Sequence, residues 1–494
     1  MRVNRKSGII MHISSLDEDY GIGSFGKSAY AFADFLKKSG QSYWQILPLG
    51  PTCYGDSPYQ SFSAFAGNPY FIDLDILCRD GLLLKEEYEN VDFGSGELVD
   101  YGKLFNERGK VLRKAYTRSK GKLEHEIEKF KGENSNWVND YALYMAVKYK
   151  MGHKSWQEWD YDIKTRQPEA VARYESELRD DIDYWVFVQY EFYKQWTELK
   201  RYVNNLGIKF IGDIPIYISG DSSDAWVNDR IFKLDENKNP TVVAGCPPDA
   251  FSEDGQLWGN PIYDWDYLDN TGYAWWIERM RASLTLFDVV RVDHFRGFES
   301  FWQVPAGAPN ARNGEWVKGP GMKLFNALKN ALGEIDIIAE DLGFLTPEVI
   351  QFRNDTGYPG MKIMQFAFDT REESDYLPHN YEHNCIVYTG THDNDTVMGW
   401  VETTGNKEDV ENARNYLKLD EKEGYHWGFI RGAWSSVADL SVAQMQDFLG
   451  LGNDARMNLP GAIGNNWKWR IDRGALTTEL AERIYNLTKT YGRL

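Results

Sequence analysis

The sequence lacks paired cysteines and long apolar runs. Its four cysteines are scattered without a CxxC spacing, so neither a zinc knuckle nor a disulfide framework is indicated. No stretch reaches the roughly 18 consecutive apolar residues of a membrane span. The first residues also lack the apolar segment of a secretion signal. Together these absences predict a cytoplasmic protein in a reducing compartment.

An excess of positive charge is also missing. The chain has 55 Lys and Arg against 74 Asp and Glu, a formal net charge of −19. Such a protein repels phosphate backbones and anionic headgroups, so we expect neither nucleic acid nor a membrane as partner. A neutral substrate fits this charge better. The sequence does not indicate the oligomeric state.

Two local patterns resemble cofactor sites but lack the necessary context. Residues 21–28, GIGSFGKS, satisfy both the P-loop and the dinucleotide glycine patterns. However, residues 14–20 separate them from the preceding strand and include three acids that would repel a phosphate. His379 and His383 have the spacing of metal ligands on a helix, but the neighbouring Pro and Asn residues disfavour a helix. We therefore predict no cofactor and no required metal.

Aromatic residues are abundant, at 15% of the chain with 18 Trp and 30 Tyr. Such rings offer flat apolar faces with polar tips, as a carbohydrate-binding cleft requires. For any single ring, packing in the core is the simpler explanation. The composition therefore suits a sugar-binding protein without requiring one.

Short apolar runs rich in β-branched residues alternate with helical patterns. Seven runs predict strands, and they span residues 9–13, 43–47, 209–214, 287–292, 335–339, 361–366 and 385–389. We expect an eighth strand. Residues 28–38 and 185–203 carry apolar side chains at helical spacing. This alternation predicts a (β/α)₈ TIM barrel in preference to an open doubly wound sheet.

Two stretches do not fit the barrel pattern and are predicted to be inserted subdomains. Residues 68–180 are helix-rich and charged, and residues 217–273 are rich in Gly, Pro, Asn and aromatic residues. The catalytic barrel would then comprise residues 1–67, 181–216 and 274–494. Only one helical pattern follows Trp469, so no C-terminal β-sandwich domain is expected.

Three of the predicted strands lead into acidic residues, namely Asp293, Glu340 and Asp393. The C-terminal ends of barrel strands are where such enzymes place catalytic groups. Arg291 lies on the same face of its strand as Asp293, and we expect it to lower the pKa of that carboxyl and favour a nucleophile. The apolar run before Glu340 should raise its pKa toward use as a general acid. His392 and Asp393 could bind sugar hydroxyls.

Each of these carboxylates alone could be part of a structural ion pair. As a set they match retaining glycosidic chemistry, which needs a carboxylate nucleophile and an acid/base about 5 to 5.5 Å apart. It also needs polar groups around the hydroxyls of the sugar. Three strands of one barrel can bring these groups together.

The motifs around these residues resemble the amylomaltases, the 4-α-glucanotransferases of glycoside hydrolase family 77. The matching segments are GDIP at 212–215, RVDH at 291–294, AEDLG at 339–343, TGTHDND at 389–395, GPT at 50–52, DSPY at 56–59, the loop 244–261 and RMNLPG at 456–461. The carboxylate motifs are shared with the α-amylase superfamily. The loop 244–261 and RMNLPG are what indicates an amylomaltase.

The resemblance implies a retaining mechanism with Asp293 as nucleophile, Glu340 as acid/base and Asp393 as the stabiliser of the transition state. It also implies a set of substrate-binding residues. These are Tyr59, Asp213, Arg291, His294 and His392 at the cleaved sugar, with Tyr59 stacking on its ring, Trp258 for acceptor stacking, Tyr54 for a secondary glucan contact, and Asp249 and Asn458 as further contacts.

The expected substrates are maltooligosaccharides and α-1,4-glucans derived from starch or glycogen. Two alternatives remain at this point. An α-amylase-type retaining hydrolase would use the same three carboxylates, and a non-catalytic glucan-binding protein would need only the aromatic clefts. The balance of products from a short maltodextrin separates transfer from hydrolysis.

Overall fold

The computed structural model describes residues 5–248, 253–343, 345–371, 374–462 and 464–494. The strands in these ranges are β1 (Lys6–Ile10), β2 (Tyr43–Gln45), β3 (Lys209–Pro215), β4 (Val242–Cys246), β5 (Gln256–Pro261), β6 (Val289–Asp293), β7 (Ser300–Pro305), β8 (Glu315–Lys318), β9 (Ile337–Ala339), β10 (Gly360–Ile363), β11 (Cys385–Tyr388) and β12 (Leu440–Gln444). The helices are α1 (Lys27–Lys38), α2 (Leu74–Arg79), α3 (Tyr101–Ser119), α4 (Glu124–Glu133), α5 (Val138–Lys150), α6 (Tyr161–Lys164), α7 (Pro168–Glu177), α8 (Arg179–Asn205), α9 (Ser223–Val227), α10 (Trp265–Asn270), α11 (Ala274–Leu286), α12 (Met322–Leu332), α13 (Pro347–Thr356), α14 (Val397–Gly399), α15 (Lys407–Leu417), α16 (Tyr425–Ser435), α17 (Met445–Leu449) and α18 (Thr478–Thr490).

Eight parallel strands form one sheet in the order β10-β11-β12-β1-β2-β3-β6-β9. Its two end strands also approach each other, because the amide of Ala339 donates to the carbonyl of Pro359 at 3.0 Å. The sheet is thus a nearly closed barrel, and the predicted (β/α)₈ fold is confirmed. All seven predicted strands are present with slightly shifted ends, and the eighth is β12.

The barrel interior is layered because successive side chains of a strand point to opposite faces. Ile211 and Asp213 share the inward face of β3, and Val289, Arg291 and Asp293 share that of β6. One cluster of buried apolar residues fills the barrel interior, and it consists of Ile10, Ile211, Val289, Ile338, Met361, Ile363, Ile386, Tyr388, Leu440 and Val442. The charged side chains of Asp213, Arg291 and Asp293 follow Ile211 and Val289 toward the C-terminal ends of β3 and β6.

Helices cover the outside of the barrel. In α1 the apolar stripe buries completely, and it consists of Ala29, Phe32, Ala33 and Leu36. Gly40 follows with a left-handed φ of 71°, the usual way to end a helix. The predicted helix over 185–203 is the central part of α8, whose Phe192, Trp196 and Leu199 are buried. Neither α8 nor another helix in the described ranges is apolar enough over sufficient length to span a membrane.

Two additional units extend from the barrel. Helices α2 to α7 lie between β2 and α8. A second sheet is antiparallel with the order β5-β4-β7-β8. Strands β4 and β5 come from the range 217–273, whereas β7 and β8 follow β6 directly. This second sheet therefore continues the chain that leaves the barrel at Asp293.

Candidate active site

Asp293 and Glu340 end neighbouring strands. Val292 of β6 pairs with Ala339 of β9. Asp293 and Glu340 each come one residue later, so they lie at matching positions of the two strands. The amide of Glu340 donates to the carbonyl of Val292 at 3.2 Å, and the amide of Phe295 donates to the carbonyl of Glu340 at 3.0 Å. Asp293 and Glu340 therefore leave neighbouring strands at the same end of the barrel, as the two carboxyl groups of a retaining enzyme must.

A buried guanidinium links the floor of the site to Asp293. Arg291 donates from Nη1 to Oδ2 of Asp213 at 2.6 Å and from Nη2 to Oδ1 of Asp293 at 3.2 Å. The hydroxyl of Tyr59 donates to the same oxygen of Asp213 at 2.8 Å. Asp213 and Arg291 are both almost completely buried. They therefore form a fixed base on which Asp293 is held.

The pKa of Asp293 differs from the sequence prediction. Burial raises it to about 6, and the charges of Asp213 and Asp393 add to this effect against the opposing charge of Arg291. The expected lowering was wrong because the guanidinium is shared with Asp213 and does not offset desolvation. The contact with Arg291 opposes this rise and favours the ionised form of Asp293. About 29% of its side-chain surface stays open to a substrate.

Glu340 has the raised pKa expected of a general acid. Burial and the neighbouring charge of Asp293 raise its pKa to about 7. The amides of His294 and Leu342 oppose this rise, since they donate to Oε2 at 2.6 Å and to Oε1 at 2.9 Å. His294 adopts a left-handed φ of 55°, which is uncommon for a residue with a Cβ. This strained turn sets the amide of His294 against the acid.

Asp393 follows β11 and is held in its ionised form. Its Oδ2 lies 3.3 Å from Nε2 of His392, and its Oδ1 accepts from Nδ2 of Asn458 at 2.6 Å. Burial opposes ionisation, yet His392 and Asn458 hold the pKa of Asp393 below its usual value. The charge of Asp393 in turn raises the pKa of Asp293. The third carboxylate is therefore close enough to the first to interact with it electrostatically.

Aromatic rings form the walls around these acids. Tyr59 stacks on His392 with centroids 5.1 Å apart and an interplanar angle of 16°. Trp258 meets His294 edge to face at 4.7 Å. Trp467, which the sequence prediction did not include, lies 5.9 Å from Tyr59 and 5.8 Å from His392 between centroids. Trp467 ends the segment GNNW at 464–467, and the doubled Asn there leaves the alignment of this segment with the amylomaltases ambiguous.

One predicted contact stands apart from this cluster. Tyr54 is 97% exposed and projects into solvent. Asp249 lies outside the described residues. Within the described ranges, no group of three or more His, Cys, Asp or Glu side chains could hold a metal ion.

Two further residues organise the loop around Asp393 and were not predicted. Arg456 donates from Nε to the carbonyl of Asn458 at 2.7 Å, and its Nη2 donates to the carbonyl of Asp393. Asp447 accepts from Thr389 in the same region. Arg456 lies in the RMNLPG motif and could have been found there. Asp447 has no signal in the sequence because its partner lies 58 positions away.

Comparisons with known proteins identify the family of the chain. The family model described as 4-alpha-glucanotransferase, glycoside hydrolase family 77, matches residues 11–477. A 4-alpha-glucanotransferase of Clostridium butyricum is 59% identical over 485 residues, covering 98% of this chain and all of the relative. The Thermus thermophilus 4-alpha-glucanotransferase is 44% identical over 504 residues, covering both chains completely.

Among solved structures, an amylomaltase from Streptococcus agalactiae in complex with acarbose has a TM-score of 0.97 and 44% identity, covering 99% of each chain. An amylomaltase from Corynebacterium glutamicum has a TM-score of 0.78 at 17% identity, with 99% of this chain and 75% of that chain covered, and this likeness concerns the fold alone. The protein therefore belongs to glycoside hydrolase family 77, the family of the amylomaltases.

Proposed function

We propose that this 4-α-glucanotransferase moves segments of α-1,4-glucan between maltodextrins through a covalent intermediate on Asp293. The placement of Asp293 and Glu340 on adjacent strands, with pKa values of about 6 and about 7, carries this proposal. At neutral pH such a pair supplies one anion and one partly protonated acid. The names of the relatives support transfer over the hydrolase and the non-catalytic binding protein.

In the first half-reaction the carboxylate of Asp293 attacks the anomeric carbon of the donor. Glu340 gives its proton to the glycosidic oxygen as the bond to carbon breaks. The departing glucan leaves with a free 4-hydroxyl. A β-linked glucosyl ester on Asp293 remains, and Glu340 is now ionised.

In the second half-reaction Glu340 takes the proton of an incoming 4-hydroxyl. The acceptor oxygen attacks the same anomeric carbon and displaces Asp293, so two inversions restore the α-linkage. Asp393, kept ionised by His392 and Asn458, would accept hydrogen bonds from the 2- and 3-hydroxyls and stabilise the positive charge that develops in the sugar ring.

The proposal also includes the other substrate contacts that the sequence predicts. One face of Tyr59 is covered by His392, so a sugar would use the opposite face of that ring. Trp258 packs on His294 beside Glu340, which suits an acceptor-side contact. The full set of proposed substrate contacts is Tyr59, Asp213, Arg291, His294 and His392 around the transferred sugar, Trp258 for the acceptor, Tyr54 for a secondary glucan contact, and Asp249 and Asn458 as further contacts.

Transfer must also compete with water, which requires a shielded intermediate and a well-bound acceptor. Trp258 lies on β5 of the second sheet, while Asp293 ends β6 of the barrel. The second sheet thus brings an aromatic ring to the acceptor side of the site. We infer that this ring binds the incoming sugar and limits access of water.

The test is incubation with maltotriose followed by chromatography and a reducing-end assay. Transfer predicts glucose plus longer maltodextrins, with the number of reducing ends constant. A rise in reducing ends that matches the bonds broken would contradict transfer and indicate hydrolysis. The matched control is Asp293→Asn, which should bind maltodextrin but lose several orders of magnitude in turnover. Retention of turnover within tenfold would contradict the assignment of the nucleophile.

The proposal also includes the domain division and the location of the protein. We infer a catalytic barrel of residues 1–67, 181–216 and 274–494, with 68–180 and 217–273 as insertions. A cytoplasmic location is supported by the free thiols of Cys53, Cys78 and Cys385.

A further inference from the structure

Asp447 joins the two ends of the loop that holds the third carboxylate. Its Oδ2 accepts from the hydroxyl of Thr389 at 2.6 Å, and its Oδ1 accepts from the amide of Val397 at 2.7 Å. Thr389 directly follows β11, and Val397 begins α14. All three residues are buried, with at most 1% of their surface exposed. The segment 389–397 is therefore closed into a loop through one side chain.

Further contacts stiffen this loop between its ends. The side-chain oxygen of Asn394 accepts from the amide of Thr391 at 2.8 Å and from its hydroxyl at 2.9 Å. Arg456 donates to the carbonyl of Asp393. The direction of the Asp393 carboxylate thus depends on a backbone that is fixed in its middle and at both ends.

Burying a carboxylate is costly, which raises the pKa of Asp447 to about 6. The two hydrogen bonds from Thr389 and Val397 oppose that cost. An apolar residue at this place in α17 could fill the same volume. It would leave the amide of Val397 and the hydroxyl of Thr389 buried without these acceptors.

We propose that Asp447 is a positioning residue of the transfer reaction: by holding both ends of the loop 389–397 it fixes the carboxylate of Asp393 against the transferred sugar. This inference rests on the proposed role of Asp393. Asp447 lies behind the loop and contacts its backbone and Thr389, so it acts only through the place it gives to Asp393.

The first test compares three variants in maltotriose disproportionation. Asp447→Ala removes both acceptors, and a misplacement of about 1 Å at a reacting group costs about 100-fold in kcat/KM. Asp447→Asn keeps an oxygen for Val397 and offers an amide to the oxygen of Thr389, so activity should return to within about fivefold of the parent. Thr389→Val removes one of the two hydrogen bonds, so its kcat/KM should lie between those of Asp447→Ala and Asp447→Asn.

The second test uses a readout that a general loss of structure would not move. Fluoride release is measured with α-maltosyl fluoride and with its analogue lacking the 2-hydroxyl on the reacting ring. The parent enzyme should prefer the complete donor, and Asp393→Ala should reduce that preference because its contact to the 2-hydroxyl is lost. Asp447→Ala should reduce the preference toward the value of Asp393→Ala, and Thr389→Val should do so in part.

Asp73 supplies a matched control. It is also buried, and it also accepts one backbone amide and one hydroxyl, from Ile76 at 2.7 Å and from Ser24 at 2.9 Å. Asp73→Ala removes the same kinds of bond at the N-terminus of α2, outside the loop 389–397, so the donor preference should be unchanged. A parent-like preference in both Asp447→Ala and Thr389→Val, with Asp393→Ala reduced, would overturn the inference. A parent-like preference in Asp393→Ala would contradict the proposed role of Asp393, and the inference with it.

Discussion

Asp293 and Glu340 carry the same functional group, and their neighbours give them different tasks. Asp293 has Arg291 as a direct partner, which limits the rise of its pKa. Glu340 meets the charge of Asp293, and its hydrogen-bond donors among the described residues are the backbone amides of His294 and Leu342. The pKa of Glu340 is therefore the higher of the two. The order of the two pKa values assigns the anion to Asp293 and the proton to Glu340.

The pH dependence of kcat/KM follows from these two groups. Activity requires ionised Asp293, so it should fall as the pH drops through about 6, and it requires protonated Glu340, so it should fall as the pH rises through about 7. The result is a narrow bell with its maximum between these values, in which the two macroscopic pKa values belong to the pair. Initial rates of maltotriose disproportionation across pH measure it, because the glycosidic leaving group needs the proton of Glu340.

The variant Glu340→Gln separates the two limbs of that profile. The variant is measured with α-maltosyl fluoride as donor. Fluoride needs no proton to depart, so the first step should still proceed in this variant. The limb on the acid side should persist, and the limb on the alkaline side should disappear. An alkaline limb that survives at the same pH would mean that a different group supplies it.

At this scale the sequence predicts residue identities better than residue environments. The side on which Arg291 and Asp293 lie follows from strand alternation and is confirmed by their contact. The sign of the pKa shift of Asp293 was missed because Asp213 comes from another strand and takes the shorter bond to Arg291. The structure also explains why the glycine-rich segment 21–28 is not a phosphate loop. Oε1 of Glu18 accepts from the amide of Ser28 at 2.8 Å, at the place where a phosphate would have to bind.

Among the elements, α5 contacts the segment after β3 through an ion pair whose lysine is buried. Nζ of Lys148 lies 2.6 Å from Oδ2 of Asp221, and its side chain is only 3% exposed. Tyr144 of the same helix donates to Oδ1 of Asp221 at 2.6 Å. The ammonium also lies 5.0 Å from the ring centre of Phe62, close in sequence to Tyr59. This pair therefore fixes the loops after β2 and β3.

The variant Lys148→Met tests how much this ion pair contributes to the free energy of unfolding. Removal of one partner leaves Asp221 without its cation, and we expect a loss of about 3 kcal/mol in the free energy of unfolding. Urea denaturation measures it. The matched control on the same helix is Lys150→Met, which removes an exposed ion pair with Glu177 and should change the free energy of unfolding by at most about 1 kcal/mol. Equal losses in the two variants would show that the buried pair has no special weight.

The elements that the sequence predicts are those with a local pattern. Helices α1 and α8 repeat apolar residues at helical spacing, and both are present. Strand β12 was expected without a location because Ser441 and Gln444, both buried, interrupt its apolar run. The second sheet was not predicted, since β4 pairs with β7 and the elements β5, α10, α11 and β6 lie between them in the chain. Pairing over that distance leaves no pattern within either segment.

For the molecule as a whole, the barrel explains why distant motifs meet. The consecutive β and α units place β6 beside β9, and this order could be predicted because parallel strands linked by helices are usually neighbours. The hydrogen bond between Asp393 and Asn458 could not be predicted, since these residues lie 65 positions apart and both are in loops outside the barrel strands. The mechanism requires both kinds of contact in one opening.

The central claim is that Asp293 forms a covalent bond to the transferred sugar. The most direct measurement uses Glu340→Gln with α-maltotriosyl fluoride, because fluoride departs unaided while the variant lacks the base that would activate an acceptor. Protease digestion and tandem mass spectrometry should then find one maltotriosyl group on the peptide and side chain of Asp293, and none in the double variant that also carries Asp293→Asn. A maltotriosyl group on any other residue, or fluoride release by Glu340→Gln that continues without labelling Asp293, would contradict the account.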